Sequence, residues 1–224
     1  MLTLHHLEYS QSYRVLWLLE ELGVEYELKI YERDKETSLA PADYKAVSPL
    51  GTAPVITDGE LNLAETAAIF DYILDRNLDS SLRPTIDSSA RADYLFWFHA
   101  SQGSLMPMTL MSVVFTILQT RTPALIRPLI KMVLGKASDG MVNPRVSALL
   151  SKAESDLAAT GWFAGDALTA ADMMMSYPLE SLYNKGWLKD KYPNCQAWVE
   201  RVKALPSYQS AKQKDGRPSA IFQV

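Results

Sequence analysis

Three hydroxyl side chains crowd the start of an apolar helical pattern near the N-terminus. In the stretch EYSQSYRVLW, which begins at Glu8, they belong to Tyr9, Ser10 and Ser12. A hydroxyl at the first turn of a helix can cap a backbone N–H group, or it can face a ligand in the positive field of the helix start. These residue types at this spacing therefore indicate either a plain helix cap or the rim of an active site.

A proline directly before a strand pattern marks a second feature. Pro54 opens the run PVIT, and Gly51 supplies the approach turn. Because proline cannot donate to a sheet, at the first residue of a strand it lies at an edge or in a special turn. If its peptide bond is cis, the backbone of the preceding residue is free to pair with an extended peptide ligand. An ordinary loop proline would bind nothing.

A helix start with two polar residues gives a third feature. Glu65 and Thr66 stand where the short strand LNL gives way to the helical pattern ETAAIFDYIL. The unpaired N–H groups of a helix N-terminus can hold a carboxylate with help from the Thr66 hydroxyl, and Glu65 could pair with an ammonium group. A capping residue with an acidic neighbour explains the pair equally well.

The pair Thr169 and Asp172 has the spacing of a capping box, with aspartate in place of the usual glutamate. In this motif each side chain satisfies a backbone N–H group in the first turn of a helix. We therefore expect the loss of Asp172 to damage folding rather than chemistry.

Hydrophobic periodicity orders the elements that carry these residues. The first 78 residues read strand, helix, strand, an irregular polar segment at residues 33–45, then a hairpin at Asp58-Gly59 and a second helix. Ser12 is the best placed residue to cap the first helix. The order predicts a small α/β domain, built on one mixed sheet, at residues 1–78.

The rest of the chain lacks strand alternation. Residues 79–89 are rich in serine, proline and aspartate, which is typical of a linker. Residues 90–224 read as helices, and we expect Pro107 to kink the first long one. The α/β domain is therefore predicted to precede an all-helical domain.

Composition and charge disfavour several classes of protein. The 224 residues are 48% hydrophobic with a net charge of -4, which argues against a nucleic-acid surface. No run of 18 apolar residues predicts a membrane span, and the N-terminus lacks the basic start of a secretory signal. Cys195 is the single cysteine, so no disulfide forms within the chain, and with three histidines it makes no spaced metal cluster. A cytoplasmic protein without a metal fits best.

Four segments together resemble the cytosolic glutathione transferases. In chain order they are YSQSYRVLWLLEELG, SPLGTAPVITDGELNLAETAAIFDYIL, WFAGDALTAADMMM and YPNCQAWVERVKALPSY. The stretches ERDKETSLAPADYKAVSPLG and FHASQGSLMP look most like the yeast-type and bacterial subgroup with a serine near the first helix. The resemblance implies a homodimer whose thioredoxin-like N-terminal domain binds glutathione. It also implies that the all-α C-terminal domain helps to form an open site for an electrophile.

The resemblance further assigns residues to glutathione. Pro54 matches the family's cis-proline, and Ala53 matches the residue whose backbone pairs with the cysteinyl part of glutathione. Glu65 and Thr66 match the pair that grips the γ-glutamyl end. Thr52 lies where many members have lysine, so a contact to the glycyl carboxylate is weaker there or is supplied elsewhere.

The implied chemistry needs a thiolate, which glutathione brings, and hydroxyls, which the protein supplies. A free thiol has a pKa of about 8.5, so about 3% is ionised at pH 7, and lowering this pKa by about 2 units requires about 2.7 kcal/mol. A hydroxyl donor and a helix N-terminus aimed at the sulfur can provide this together. Ser10 aligns with the catalytic serine of serine-type members and is our first choice, with Tyr9 and Ser12 as alternatives.

Three functions compete for this constellation. The first is attack of the glutathione thiolate on small hydrophobic electrophiles, with peroxidase activity as an addition. The second is glutathione-dependent disulfide reduction, and the third is non-catalytic binding of glutathione or another ligand. Leu105 and Met108 are the candidate walls of the electrophile pocket, although methionine on an apolar helix more often fills a core.

Overall fold

The N-terminal part of the molecule is a four-stranded mixed sheet. The structure is a computed structural model that describes residues 1–216, so the last part of the predicted helical domain, residues 217–224, lies outside the described range. The strands are β1 (Leu2–Leu7), β2 (Glu27–Tyr31), β3 (Val55–Asp58) and β4 (Leu61–Ala64). They are ordered β2-β1-β3-β4, with β1 parallel to β2 and the other neighbours antiparallel.

Three helices accompany this sheet: α1 (Ser12–Leu22), α2 (Ala42–Val47) and α3 (Thr66–Leu74). The crossover from β1 through α1 to the parallel strand β2 is a βαβ unit, and the β3–β4 hairpin leads into α3. The α/β domain predicted from periodicity is therefore present. The expectation of an irregular segment at residues 33–45 is wrong at its end, because α2 begins there.

Seven further helices follow, and the described residues after 90 include no strand. They are α4 (Arg91–Ala100), α5 (Met106–Arg121), α6 (Arg127–Ala137), α7 (Asn143–Thr160), α8 (Ala170–Asn184), α9 (Pro193–Lys203) and α10 (Pro206–Asp215). The segment between α3 and α4 has neither helix nor strand, and it packs on the helical part through Leu82, whose carbonyl accepts the N–H of Ala170 at 2.8 Å. The domain boundaries at residues 78 and 89 stay predictions.

A π-helical turn, Ser101–Leu105, joins α4 to α5. Pro107 follows it in the first turn of α5. Because proline has no N–H for the preceding turn, the regular hydrogen-bond ladder cannot pass through this point unchanged. The interruption of the long helix thus falls where the sequence predicts a kink.

The helical run Arg91–Arg121, which includes this π-helical turn, is long and apolar enough to cross a membrane by length and composition alone, as is the core helix of many soluble proteins. Only 22% of its most apolar stretch of 18 residues is buried. Leu110, Val114 and Leu118, spaced by four along α5, are between 43% and 49% exposed. The chain by itself therefore leaves an apolar stripe uncovered on α5.

Helix α8 is the core of the helical part, and Asp172 fixes its start. The fully buried carboxylate accepts the backbone N–H groups of Thr169 at 2.9 Å and Phe163 at 3.0 Å, and the indole N–H of Trp198 at 2.9 Å. The predicted capping box of Thr169 and Asp172 is confirmed. Its carboxylate also ties α8 to α9 and to the preceding loop.

The last described helix, α10, returns to the N-terminal domain and packs along α1. The indole N–H of Trp17 donates to Ser207 at 3.0 Å, and Tyr208 donates to the buried carboxylate of Glu180 on α8 at 2.8 Å. At the end of α10, Asp215 meets the ring of His6 on β1. Helix α10 therefore brings charged groups to the inner side of the β1–α1 turn.

Candidate active site

The three features singled out in the sequence meet at one end of the sheet. In the antiparallel pair of β1 and β3, His5 lies opposite Val55, so the C-terminal end of β1 adjoins the start of β3. In the pair of β3 and β4, Val55 lies opposite Ala64, so the end of β4 adjoins the same start. The turn after β1, the Ala53-Pro54 peptide and the beginning of α3 therefore share one edge.

The turn between β1 and α1 holds Ser10 in a tight set of hydrogen bonds. Its hydroxyl oxygen lies 2.6 Å from the carbonyl oxygen of Leu7, to which it donates, and 2.7 Å from the hydroxyl oxygen of Ser12. The backbone N–H of Ser12 donates back to Ser10 Oγ at 3.2 Å. Ser10 is half-buried, so the residue combines a defined hydroxyl position at the start of α1 with partial exposure to solvent.

The prediction that Ser12 caps α1 is wrong. The helix begins at Ser12 itself, the preceding cap position is Gln11, and no side chain caps it there. Ser12 is fully buried, and its hydroxyl points inward to Nδ1 of His6 at 2.9 Å. It is the Ser10 oxygen that accepts an N–H of this first turn, which is the bond that a capping side chain makes.

Tyr9 occupies the rim of the same turn. Its backbone lies in the left-handed region, with a φ of 51°, and the residue is 37% exposed. Before it, Glu8 accepts the side-chain Nε–H of Arg33 on its backbone carbonyl at 3.0 Å, which ties the turn to the segment after β2. Tyr9 and Ser10 thus both keep part of their surface exposed at this turn, whereas Ser12 is fully buried.

The loop before β3 presents a short stretch of backbone at this edge. The Ala53-Pro54 bond is cis, as the resemblance implies. Tyr44 and Ser48 hold the carbonyl of Thr52 with hydroxyl bonds of 3.0 and 3.3 Å. Within residues 1–216, no hydrogen bond joins the backbone of Ala53 to another residue. The two polar groups of that residue therefore lie where an extended ligand could pair with them.

The beginning of α3 has the geometry of an anion-binding site. Glu65 is its cap residue, with a φ of 75° and an exposed side chain, and no side chain caps the first turn among the described residues. Thr66 is the first helical residue and is only 2% exposed. The unpaired N–H groups of this turn, which form the positive end of the helix dipole, thus lie at the same edge of the sheet as Ala53.

Two supporting residues escaped the sequence analysis. Arg14 is fully buried in α1, where it donates to the side chain of Gln11 and, at 2.6 Å, to the carbonyl of Met174 on α8. Burial lowers the pKa of Arg14 to about 10. Tyr44 holds the loop of Thr52 from the buried side of α2. The signals were an arginine inside an apolar helical pattern, and Pro41 with Asp43 at the start of a short helix.

The candidate electrophile residues lie on the helical side of the molecule. Leu105 is 1% exposed at the end of the π-helical turn and belongs to the main hydrophobic core, and Met108 is half-buried against that core. Cys195 is buried in α9, and burial raises the pKa of its thiol far above its ordinary value. No group of His, Cys, Asp or Glu side chains that could hold a metal ion is found in the described part of the chain.

Comparison with known proteins decides the family. The family model "Glutathione S-transferase, N-terminal domain" matches residues 2–75, and "Glutathione S-transferase, C-terminal domain" matches residues 117–206. The chain is 32% identical over 215 residues to glutathione S-transferase 3 of Schizosaccharomyces pombe, an alignment that covers 96% of this chain and 88% of that protein. The chain belongs to the glutathione S-transferase family.

Other members are similar over the whole length. Glutathione S-transferase 1 of Saccharomyces cerevisiae is 26% identical, and the alignment covers 96% of this chain and 95% of that protein. The crystal structure of a glutathione S-transferase from Actinobacillus pleuropneumoniae superposes with a TM-score of 0.77 at 32% identity, and the match covers 100% of this chain and 97% of that one. The predicted fold, a thioredoxin-like domain followed by an all-α domain, is confirmed. The predicted enzyme class, glutathione transferase, is confirmed as well.

Proposed function

We propose that this glutathione transferase binds glutathione in an extended form along the sheet edge and holds its sulfur against Ser10. The observation that carries the proposal is the meeting of the Ser10 turn, the open Ala53 backbone and the uncapped start of α3 at one edge. Each of these offers a different hydrogen-bonding group, and together they match the thiol, the peptide core and the charged end of one tripeptide.

Glutathione fits this edge in one direction. Its cysteinyl backbone pairs with the N–H and C=O of Ala53, and its γ-glutamyl carboxylate lies on the N–H groups at the start of α3 beside the Thr66 hydroxyl. Its ammonium group lies near Glu65, whose side chain is exposed. At the other end, Thr52 offers only a neutral side chain to the glycyl carboxylate, so that contact contributes less than a lysine would.

Ser10 stabilises the thiolate rather than acting as a strong base. In the structure its hydroxyl donates to the Leu7 carbonyl and lies at hydrogen-bond distance from the Ser12 oxygen, and rotation about the Cβ–Oγ bond turns its proton to the sulfur. The N–H of Ser12 continues to hold Ser10 Oγ during this rotation, so the donor remains positioned. Tyr9 is the second candidate for this role because it shares the rim of the turn.

The reaction that follows is substitution or addition at a small hydrophobic electrophile. The thiolate sulfur forms a bond to the electrophilic atom while the leaving group departs or the double bond takes up the electron pair. Attack on the oxygen of a hydroperoxide is a related activity of the same thiolate. Dithiol disulfide reduction is disfavoured, since the single cysteine is buried in α9 with a raised thiol pKa. We place the electrophile on the helical side, near Leu105 and Met108.

We further propose that the enzyme is a cytoplasmic homodimer of the serine-type subgroup. The exposed apolar stripe of Leu110, Val114 and Leu118 supports self-association, because a second protomer could cover it. The composition, with 21% charged residues spread along the chain, supports a soluble protein.

The pKa of bound glutathione tests the site. Thiolate absorbance in the ultraviolet is titrated for wild type and for the Ser10→Ala and Tyr9→Phe variants. Ser10→Ala is expected to raise the thiol pKa by about 1–2 units, because a hydrogen bond to the anion is lost. Tyr9→Phe is expected to leave it near the wild-type value. A raised pKa in Tyr9→Phe with none in Ser10→Ala would transfer the role to Tyr9.

A further inference from the structure

A chain of hydrogen bonds leads from Ser10 into the interior of the protein. Ser10 Oγ lies 2.7 Å from Ser12 Oγ, Ser12 Oγ lies 2.9 Å from His6 Nδ1, and His6 Nε2 lies 2.8 Å from Asp215 Oδ1. Ser12 and His6 are no more than 1% exposed, and Asp215 is 7% exposed. The family assignment and the glutathione site do not require a buried ionisable pair behind the serine turn.

The carboxylate of Asp215 sets the direction of this chain. Burial raises the pKa of Asp215, but hydrogen bonds from His6 and Lys212 outweigh it and hold the pKa below its ordinary value. An ionised carboxylate only accepts, so the proton of a neutral His6 lies on Nε2. Its Nδ1 is then an acceptor at 2.9 Å, and the Ser12 hydroxyl donates to it rather than to the more distant Leu7 carbonyl at 3.3 Å. Ser10 can in turn donate to Ser12.

We propose that His6 takes up the thiol proton of glutathione through the hydroxyls of Ser10 and Ser12. This inference rests on the proposed position of the sulfur at Ser10. The S–H bond of glutathione breaks as its proton moves to Ser10 Oγ, the Ser10 proton moves to Ser12 Oγ, and the Ser12 proton moves to His6 Nδ1. Both serines end as neutral hydroxyls. The products are a thiolate and an imidazolium, and no other reactant is needed.

The transfer leaves the chain arranged to stabilise the thiolate. His6 Nδ1–H now donates to Ser12, Ser12 donates to Ser10, and Ser10 donates to the sulfur, so the hydrogen bonds between His6 and the sulfur are all reversed while His6 Nε2–H still donates to Asp215. The imidazolium is paired at 2.8 Å with Asp215, whose other oxygen accepts from Lys212 at 2.6 Å. Ser12, His6 and Asp215 are thus positioning residues that act on the sulfur through Ser10.

The neighbouring histidine supplies a natural control. His5 is also buried in β1, but its ring nitrogens meet the hydroxyls of Tyr31 at 2.9 Å and Thr57 at 3.0 Å, with no carboxylate at hydrogen-bond distance in the described part of the chain. Desolvation by burial lowers the pKa of His5, which favours its neutral form. His5 therefore lacks a hydrogen-bonded carboxylate, and the charge of Glu27, which favours its imidazolium, is outweighed by burial and by the charge of Lys29.

Nitrogen NMR of the histidine side chains tests the proton's destination. The chain has three histidines, and a His6→Asn variant identifies the resonances of His6. Saturation with glutathione is expected to move both ring nitrogens of His6 from neutral to imidazolium shifts, while His5 stays neutral. S-methylglutathione, which carries no thiol proton, is expected to leave His6 neutral. A His6 ring that stays neutral with glutathione would overturn the relay.

The pKa of the bound glutathione thiol in two variants distinguishes a proton relay from a purely structural contact. Ser12→Ala breaks the chain but leaves the His6–Asp215 pair that fastens α10, and Asp215→Asn keeps that hydrogen bond but removes the charge. Each is expected to raise the thiol pKa by about one unit, a tenfold loss of the thiolate-to-thiol ratio, with an unchanged circular dichroism spectrum. Wild-type pKa values in both variants, together with a raised value in Ser10→Ala, would contradict the relay and leave the role of Ser10 intact. An unchanged value in Ser10→Ala would instead contradict the proposed site.

Discussion

Replacement of Asp172 by alanine is expected to destabilise the enzyme strongly without changing its chemistry. The change removes the acceptor of three N–H groups, on Thr169, Phe163 and Trp198, all on residues at most 3% exposed. A buried donor left without an acceptor costs about 1–3 kcal/mol, so the three together cost at least about 3 kcal/mol. Burial raises the pKa of Asp172, so removing the charge returns part of this cost. We expect a net loss of about 3–5 kcal/mol.

Urea unfolding followed by tryptophan fluorescence measures this loss. The chain has five tryptophans, and the protein concentration is held constant because dimerisation would shift the midpoint. Asp172→Asn keeps one side-chain oxygen as an acceptor, so its free energy of unfolding is expected to fall less, by about 1–3 kcal/mol. Asp166→Ala, on the exposed loop before α8, is the matched control and is expected to stay within about 0.5 kcal/mol of wild type.

The folded fraction of Asp172→Ala, assayed at low temperature, is expected to keep the wild-type KM for glutathione. A loss of stability below about 1 kcal/mol would refute the view that this carboxylate holds the start of α8. So would a large rise in KM at unchanged stability, because it would place Asp172 in the glutathione site.

Three further predictions concern pH, assembly and glutathione binding. Burial raises the pKa of Glu154, but hydrogen bonds from two backbone N–H groups at the start of α9 outweigh it and lower the pKa below its ordinary value. The ionised Glu154 therefore stabilises the fold fully above the ordinary pKa of about 4.3, and this stabilisation is lost as the pH falls through the lowered pKa. In a plot of the urea midpoint against pH, Glu154→Gln should make the decline at acid pH less steep. An unaltered decline would count against this role. Val114→Glu places a charge in the apolar stripe of α5 and is expected to raise the dissociation constant of the dimer at least about tenfold, a loss of about 1.4 kcal/mol, as measured by sedimentation. The control Leu78→Glu, at a residue 80% exposed between α3 and α4, should leave it unchanged. Equal dissociation constants for the two variants would reject this interface. Thr66→Val removes a hydroxyl proposed to bind a carboxylate and is expected to raise the KM for glutathione about tenfold with little change in kcat, and an unchanged KM would exclude that contact.

The glutathione edge could be located from the sequence because its signals are local. Pro54 before a strand, Glu65 and Thr66 at a helix start, and Ser10 at a strand end each follow from short patterns. Strong periodicity predicts the strands and the helices α1 and α3 around them, but not α2. The antiparallel register of β3 with β1 and β4 then brings these points together. The resemblance to a family supplied their assignment to parts of glutathione.

The inner side of the site could not be predicted, because its contacts are distant in the chain. His6 and Asp215 are 209 positions apart, and the α10 sequence PSYQSAKQKD is too polar to indicate which face packs inward. The prediction for Ser12 is wrong for a different reason, since His6 is only six positions away. A local pattern offers a cap at the helix start, whereas the ring of His6 draws the hydroxyl inside.

A crystal structure of the enzyme with bound glutathione tests the central claim most directly. The distance from the glutathione sulfur to each hydroxyl oxygen of the β1–α1 turn is the quantity to measure. We predict that the sulfur lies within about 3.5 Å of Ser10 Oγ, with the γ-glutamyl carboxylate at the start of α3. A sulfur in contact with Tyr9 Oη, or with no hydroxyl of this turn, would contradict the account.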